Sequence, residues 1–187
     1  MAVREILRLG HPILRERARA LTRAEILSAE IQELIEDMRE TMQAANGLGL
    51  AAPQVGASLR IALVEIPENP VRYPDAQPFT LGIYINPQVK ILDAGEQGYW
   101  EGCLSVPGLR GYVLRPRKLE LKYFDREARP QTLIAHGFPA TVFQHEFDHL
   151  DGKLFVDRVR DTRQLAFLEE FVEFHDPHRG AHAAAEE

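Results

Sequence analysis

The order in which apolar periodicity changes along the chain predicts an α+β fold. A long amphipathic helical pattern comes first, then a run of short segments with alternating apolar residues, then two further helical patterns. Helices gathered at the ends of a strand-rich middle do not match the strand–helix alternation of a doubly wound parallel sheet. A length of 187 residues suits one compact unit with one core.

The first helix is expected over residues 22–45. Thr22 followed by Glu25 reads as a capping box, Ile31, Leu34, Ile35, Met38 and Met42 recur at three- and four-residue spacing, and Asn46-Gly47 stops the pattern. Period two then marks strands over residues 60–66, 81–86, 89–92, 112–114, 118–124 and 131–136. Pro67, Pro70, Pro74 and Pro78 punctuate a surface insertion between the first two. A second helix should begin near Pro139 and stop at Gly152. A third is expected over residues 162–174, burying Leu165, Leu168, Phe171 and Val172. Residues 1–175 then form one catalytic domain, and residues 176–187, ending in alanines and glutamates, a flexible tail.

Apolar residues make up 45% and charged residues 27%, which excludes a disordered or low-complexity chain. With 22 basic against 28 acidic residues the net charge is −6, so no global positive field draws the chain to nucleic acid or to an anionic membrane. A single cysteine, Cys103, cannot form an internal disulfide. Residues 1–10 carry Arg4, Glu5 and Arg8 with no apolar signal region, and no apolar run reaches the ~18–20 residues of a membrane span. A cytoplasmic location is expected.

Chemistry concentrates in residues 144–152, which read Gln-His-Glu-Phe-Asp-His-Leu-Asp-Gly. On a helix, His145 and His149 are four residues apart and share a face, so both imidazoles can reach one metal ion. Glu146 can take a proton from the attacking water without itself occupying the metal. A chain of this composition would contain roughly 0.03 such motifs by chance. A catalytic centre of this kind takes three protein ligands. Tail histidines (His175, His178, His182) and glutamates of the third helix are candidates for the third. Cys103 is the stronger one: it sits in a turn constrained by Gly102, Pro107 and Gly108, and a thiolate is a better ligand than a spare carboxylate. Residues 47–56, Gly-Leu-Gly-Leu-Ala-Ala-Pro-Gln-Val-Gly, lack the Lys-Ser/Thr of a phosphate loop. Their glycines allow close backbone approach to a substrate, and Gln54 supplies a neutral donor.

Three segments together, Gly47 to Gln54, Glu101 to Ser105 and Gln144 to Gly152, resemble the three motifs of peptide deformylases, in the same order and without a mismatch. Arg8-Leu9-Gly10-His11-Pro12-Ile13-Leu14-Arg15 is similar to the family's usual opening. The resemblance covers roughly residues 1–157. It implies antiparallel sheets packed around a central metal-binding helix, with N-terminal and C-terminal helices, and removal of the formyl group from N-formylmethionyl peptides. Cys103, His145 and His149 would hold one divalent metal, iron(II) in most of the family, and Glu146 would be the general acid/base. Gln54 and the Leu104 backbone N–H would bind the oxyanion, and Gly49 the peptide backbone. From the donor set alone, Zn²⁺, Co²⁺ and Ni²⁺ suit as well, and raw affinity, which rises from Fe²⁺ through Co²⁺ to Ni²⁺ with zinc also tight, does not select iron.

The methionine pocket is expected to take in Phe138, Thr141 and Val142, seven, four and three residues before His145, with Leu48 and Trp100 completing it. From Asp157 onward four arginines face eight acids, so ribosome contact through a basic C-terminal helix is not expected. An ordinary metallopeptidase would share the helix motif but leave the Cys103 and Gln54 segments unexplained. A closed structural metal site would need a fourth protein ligand that the sequence does not offer.

Overall fold

The computed structural model describes residues 2–68 and 78–176. Residues 69–77 of the expected insertion (67–78) and residues 177–187 of the expected tail (176–187) lie outside the described residues.

The first helical pattern is two helices, α1 (Arg23–Ile26) and α2 (Ala29–Ala44). Thr22 forms the expected capping box with Glu25. The break follows from Ser28, an extended residue whose hydroxyl caps the Ile31 N–H and so begins a second helix. The whole apolar stripe of α2 is buried.

The described strands form one antiparallel sheet of six. They are β1 (Gly49–Ala51), β2 (Ile61–Ile66), β3 (Phe79–Cys103), β4 (Val106–Phe124), β5 (Pro130–His136) and β6 (Leu165–Phe167). The first five pair in sequence order, and β6 adds to β4 at Leu109–Gly111. Four of the expected segments are stretches of two long strands. The 25-residue β3 carries Pro87 and Gly95, which would each end an ordinary strand. Here both fall where the register against β4 shifts, so bulges absorb them and bend the ribbon. The expected sheets are therefore continuous, bent around one helix.

That helix, α3 (Gly137–Leu150), starts at the expected place and ends before Gly152, whose φ of 70° suits the position after a helix. It packs on β1 to β5. Strand β2 is buried on both faces: Ile61 and Leu63 meet the α2 stripe, while Ala62, Val64 and Ile66 meet Phe143, Phe147 and Leu150 of α3. This two-sided packing seats α3 firmly in the interior.

The third helical pattern requires correction. Thr162–Gln164 is a 3₁₀ turn, Leu165–Phe167 is β6, and only Leu168–Phe174 is helical (α4). Leu168 and Val172 are exposed, at 39% and 40%, and Leu165 and Phe171 are half-buried. Pairing with the open edge of β4 satisfies backbone groups of Leu165–Phe167, and this outweighs the helical spacing.

Candidate metal centre and catalytic site

Helix α3 carries His145, Glu146 and His149, and β3 delivers Cys103 at its last residue. Leu104 and Ser105 form the tight turn into β4, closed by pairing of Cys103 with Val106. The donor atoms of Cys103, His145 and His149 all lie within 4.8 Å of one another, with Cys103 Sγ 3.3 Å from His149 Nε2. Burial pushes the Cys103 thiol up, but the neighbouring His149 and His145 outweigh it and bring the pKa to about 5. The thiolate is the metal-binding form. One soft thiolate and two imidazoles, buried and converging, fit a divalent transition-metal ion.

Each imidazole is held differently. His145 Nδ1 lies 2.8 Å from Glu101 Oε2. Glu101 is itself clamped by Arg115, with Oε1 accepting from Nε at 2.6 Å and Oε2 from Nη2 at 2.9 Å. Arg115 Nη1 continues to Asp148 Oδ2 at 2.8 Å, and Arg158 also pairs with Asp148. Burial alone would raise the Glu101 and Asp148 carboxyls. Arg115 and His145 hold the first below the usual range, Arg158 and Arg115 the second. His149 Nδ1, by contrast, has no hydrogen-bond partner among the described residues.

Glu146 is buried, and its Oε2 likewise has no partner among the described residues. Burial pushes its pKa up to about 7, against the opposing pull of His145 and His149. A carboxyl poised near neutrality suits proton transfer in both directions. Gly49 makes room for it: a Cβ there would sit 2.4 Å from Glu146 Oε1. The sequence suggests close approach of substrate at this glycine, and the structure adds close approach of the acid/base candidate.

Gln54 is buried in the 3₁₀ turn Ala52–Val55. Its Oε1 accepts the Ala51 N–H at 2.8 Å, which aims Nε2 at Ser105 Oγ (3.2 Å) and Cys103 Sγ (3.6 Å). A cavity opens over this floor, lined by Leu48, Gly49, Gln54, Cys103, Leu104, Phe138, Thr141, Val142, His145 and Glu146 among others. Gln97 Nε2 pins the Thr141 hydroxyl at 3.0 Å and the Gly137 carbonyl, fixing the first turns of α3. Trp100 is not in that lining: its ring packs against Tyr112, Phe171 and His175, because alternation along β3 turns it away from the side where Glu101 meets His145. Arg110, which no motif in the sequence marks, also lines the cavity; its guanidinium lies over Gly102, where a Cβ would be 2.0 Å from Nη1. No spacing in the sequence marks Arg115, and the motif that contains Glu101 does not by itself assign that carboxylate a role.

A helix-borne pair of imidazoles, a thiol, a buried carboxyl and an adjoining cavity define a metal-dependent hydrolase. Residues 3–165 match the Polypeptide deformylase family. The chain is 43% identical over 170 residues to a peptide deformylase of Leptospira biflexa, covering 91% of this chain and 95% of that protein. It is 44% identical over 168 residues to peptide deformylase 2 of Nostoc sp., covering 90% and 92%. Among solved structures it superposes on the Met-Ala-Ser-bound class I type b peptide deformylase of Acinetobacter baumannii with TM-score 0.81 and 37% identity, covering 84% of this chain and 99% of that one. The actinonin complex of a peptide deformylase from Synechococcus elongatus gives TM-score 0.74 and 37% identity, with 85% and 80% covered. The chain belongs to the peptide deformylase family, metal-dependent hydrolases that remove the N-formyl group from N-formylmethionine of nascent peptides and release formate.

Proposed function

We propose that Cys103, His145 and His149 hold a single divalent ion, that Glu146 is the general acid/base, and that Gln54 Nε2 with the Leu104 N–H binds the oxyanion. The observation that carries this reading is the convergence of the three donor atoms within 4.8 Å beside Glu146, whose Oε2 has no hydrogen-bond partner among the described residues. The bound ion supplies Lewis acidity, polarising the formyl carbonyl and making a water acidic enough to give up a proton near neutral pH. Glu146 receives that proton as water attacks the formyl carbon. Gln54 and Leu104 donate to the oxygen on which negative charge then builds. Glu146 hands the proton to the peptide nitrogen, the C–N bond breaks, and formate and the free amine leave. Gly49 pairs with the peptide backbone, and Leu48, Phe138, Thr141 and Val142 form the methionine pocket, supported by their place around the cavity.

Iron(II) is the working ion, with nickel(II), cobalt(II) or zinc(II) able to substitute. The thiolate gives oxygen an oxidisable partner beside a redox-active metal. The substrate is a nascent N-formylmethionyl peptide in the cytoplasm. Any ribosome contact avoids the acidic stretch after Asp157, where four arginines face eight acids. No helix among the described residues is long and apolar enough to cross a membrane. Residues 1–175 act as one catalytic domain to which 176–187 are accessory.

The test is formate release from formyl-Met-Ala by enzyme loaded anaerobically with iron(II) or with nickel(II), with metal content and Cys103 oxidation followed in air. The iron form should be active and decay as the sulfur oxidises, while the nickel form persists. Iron-loaded enzyme that keeps full activity through prolonged aeration would overturn the iron assignment. Cleavage of unformylated peptides at a comparable rate would overturn the substrate.

A further inference from the structure

The opening segment around Arg8–Arg15 carries no group that the proposed chemistry uses, yet the structure stitches it to all three motif segments. The Leu7 N–H donates to the Gln54 carbonyl at 2.8 Å, and the Leu9 N–H to the Ser105 carbonyl at 2.8 Å. In an extended stretch, N–H groups two residues apart point to the same side, so one short arm reaches two separate turns. Gly10 (φ 109°) and the bond from the His11 N–H to the Arg8 carbonyl then turn the chain. Leu14 is buried, and a Cβ on Gly152 would sit 2.6 Å from the Arg15 carbonyl oxygen. The Ala18 N–H donates to the carbonyl of Leu150, the last residue of α3, at 2.9 Å.

From this we propose that residues 7–18 are a clasp that positions the two oxyanion donors relative to each other. The proposal rests on the oxyanion role given above to Gln54 and Leu104. Those donors sit on different elements, the Ala52–Val55 turn and the turn between β3 and β4. They are bridged by the buried Gln54 Nε2 to Ser105 Oγ contact and, separately, by the arm. Leu7 sets the height of the Gln54 backbone, and Leu9 holds the carbonyl of Ser105, the residue after Leu104 in the same turn. The clasp touches neither substrate nor metal; it is a positioning element. Small misplacements of such donors are costly, because their value depends on meeting charge that develops only in the transition state.

The test uses full-length, metal-loaded Leu7→Pro and Leu9→Pro, each lacking one of the two N–H groups, with Val3→Pro as control because Val3 is exposed and outside both pairings. Leucic acid placed at position 7 or 9 by nonsense suppression removes the same N–H without a ring, and serves if a proline variant fails to fold. We expect kcat to fall roughly 5- to 50-fold, with KM and metal content kept. The NMR resonances of the Gln54 side-chain amide and the Leu104 amide should shift in step. In a Gln54→Ala background, loss of the Leu7 N–H should cost almost nothing more. Full kcat and unmoved resonances in the ester variants would overturn the clasp, as would a loss that is undiminished in Gln54→Ala or that follows metal loss. Full activity of Gln54→Ala alone would instead refute the oxyanion reading, a result separable because the resonance shifts report the clasp directly.

Discussion

On one side of the cavity His145 is held by charge. Glu101, Arg115, Asp148 and Arg158 run from the interior to a partly exposed guanidinium, with Arg115 and Glu101 side chains only 4% and 5% exposed. On the other side the Gln54 carbonyl groups and the Ser105 contact are neutral, from the Ala51 N–H, the Ser105 hydroxyl and the Leu7 N–H, and the charged neighbour is the Cys103 sulfur, 3.6 Å from Nε2. The difference follows what each side faces. A carboxylate behind an imidazole fixes its orientation and makes it a better ligand for the cation proposed there. A formal charge carried by the proposed oxyanion donors themselves would act on the substrate before reaction as well as during it, whereas neutral donors act mainly on the charge that develops.

The contrast can be broken most severely at Arg115. Arg115→Met strands Glu101 and Asp148 without their shared cation and should cost about 3–5 kcal/mol of stability, measured by denaturant unfolding. It also has a pH signature. Both carboxyls are held below their ordinary values, so their stabilisation is complete above the usual carboxylate range, about pH 4, and is lost as pH falls through the lowered values. Without Arg115 their pKa values rise, so acid unfolding should begin at higher pH. Superimposable Tm–pH curves for variant and wild type would show that the network carries no such linkage.

On the neutral side, Gln54→Ala should lower kcat by roughly 10²–10³-fold while metal content stays at one ion per chain. Loss of metal in that variant would mean that the two sides are not separate. Glu101→Gln should do the reverse: metal affinity, measured by chelator competition, falls roughly 10- to 100-fold, and much of kcat returns at saturating metal. A smaller effect is expected at the pocket wall, where Val142→Trp should raise KM for formyl-Met peptides by roughly tenfold without stripping the metal. Unchanged kinetics would move the methionine pocket elsewhere.

The same contrast explains which parts were legible in the sequence. His145, Glu146 and His149 are local, because four-residue spacing on a helix forces them onto one face. Phe138, Thr141 and Val142 follow from the same periodicity and do line the cavity. Cys103 could be picked out from its glycine- and proline-bounded turn. Arg115 could not: it stands in Arg-Pro-Arg-Lys, which reads as a solvated basic run, and strand alternation places exposed Arg117 on the same face as buried Val113 and Arg115, so period alone does not single it out. Trp100 was assigned to the pocket by nearness in sequence to Cys103, but adjacent strand residues face opposite ways. Strand β1 has only three residues, too few for a period to register. The long ribbon of β3 and β4 was read as four pieces because bulges shift the alternation wherever they occur.

The central claim is that Glu146 moves the proton and does not hold the metal. It is tested by measuring metal content and formate release together in Glu146→Gln. Full metal occupancy with a loss of at least about 10²-fold in kcat is the predicted result. Near-normal turnover, or loss of the metal along with the activity, would contradict it.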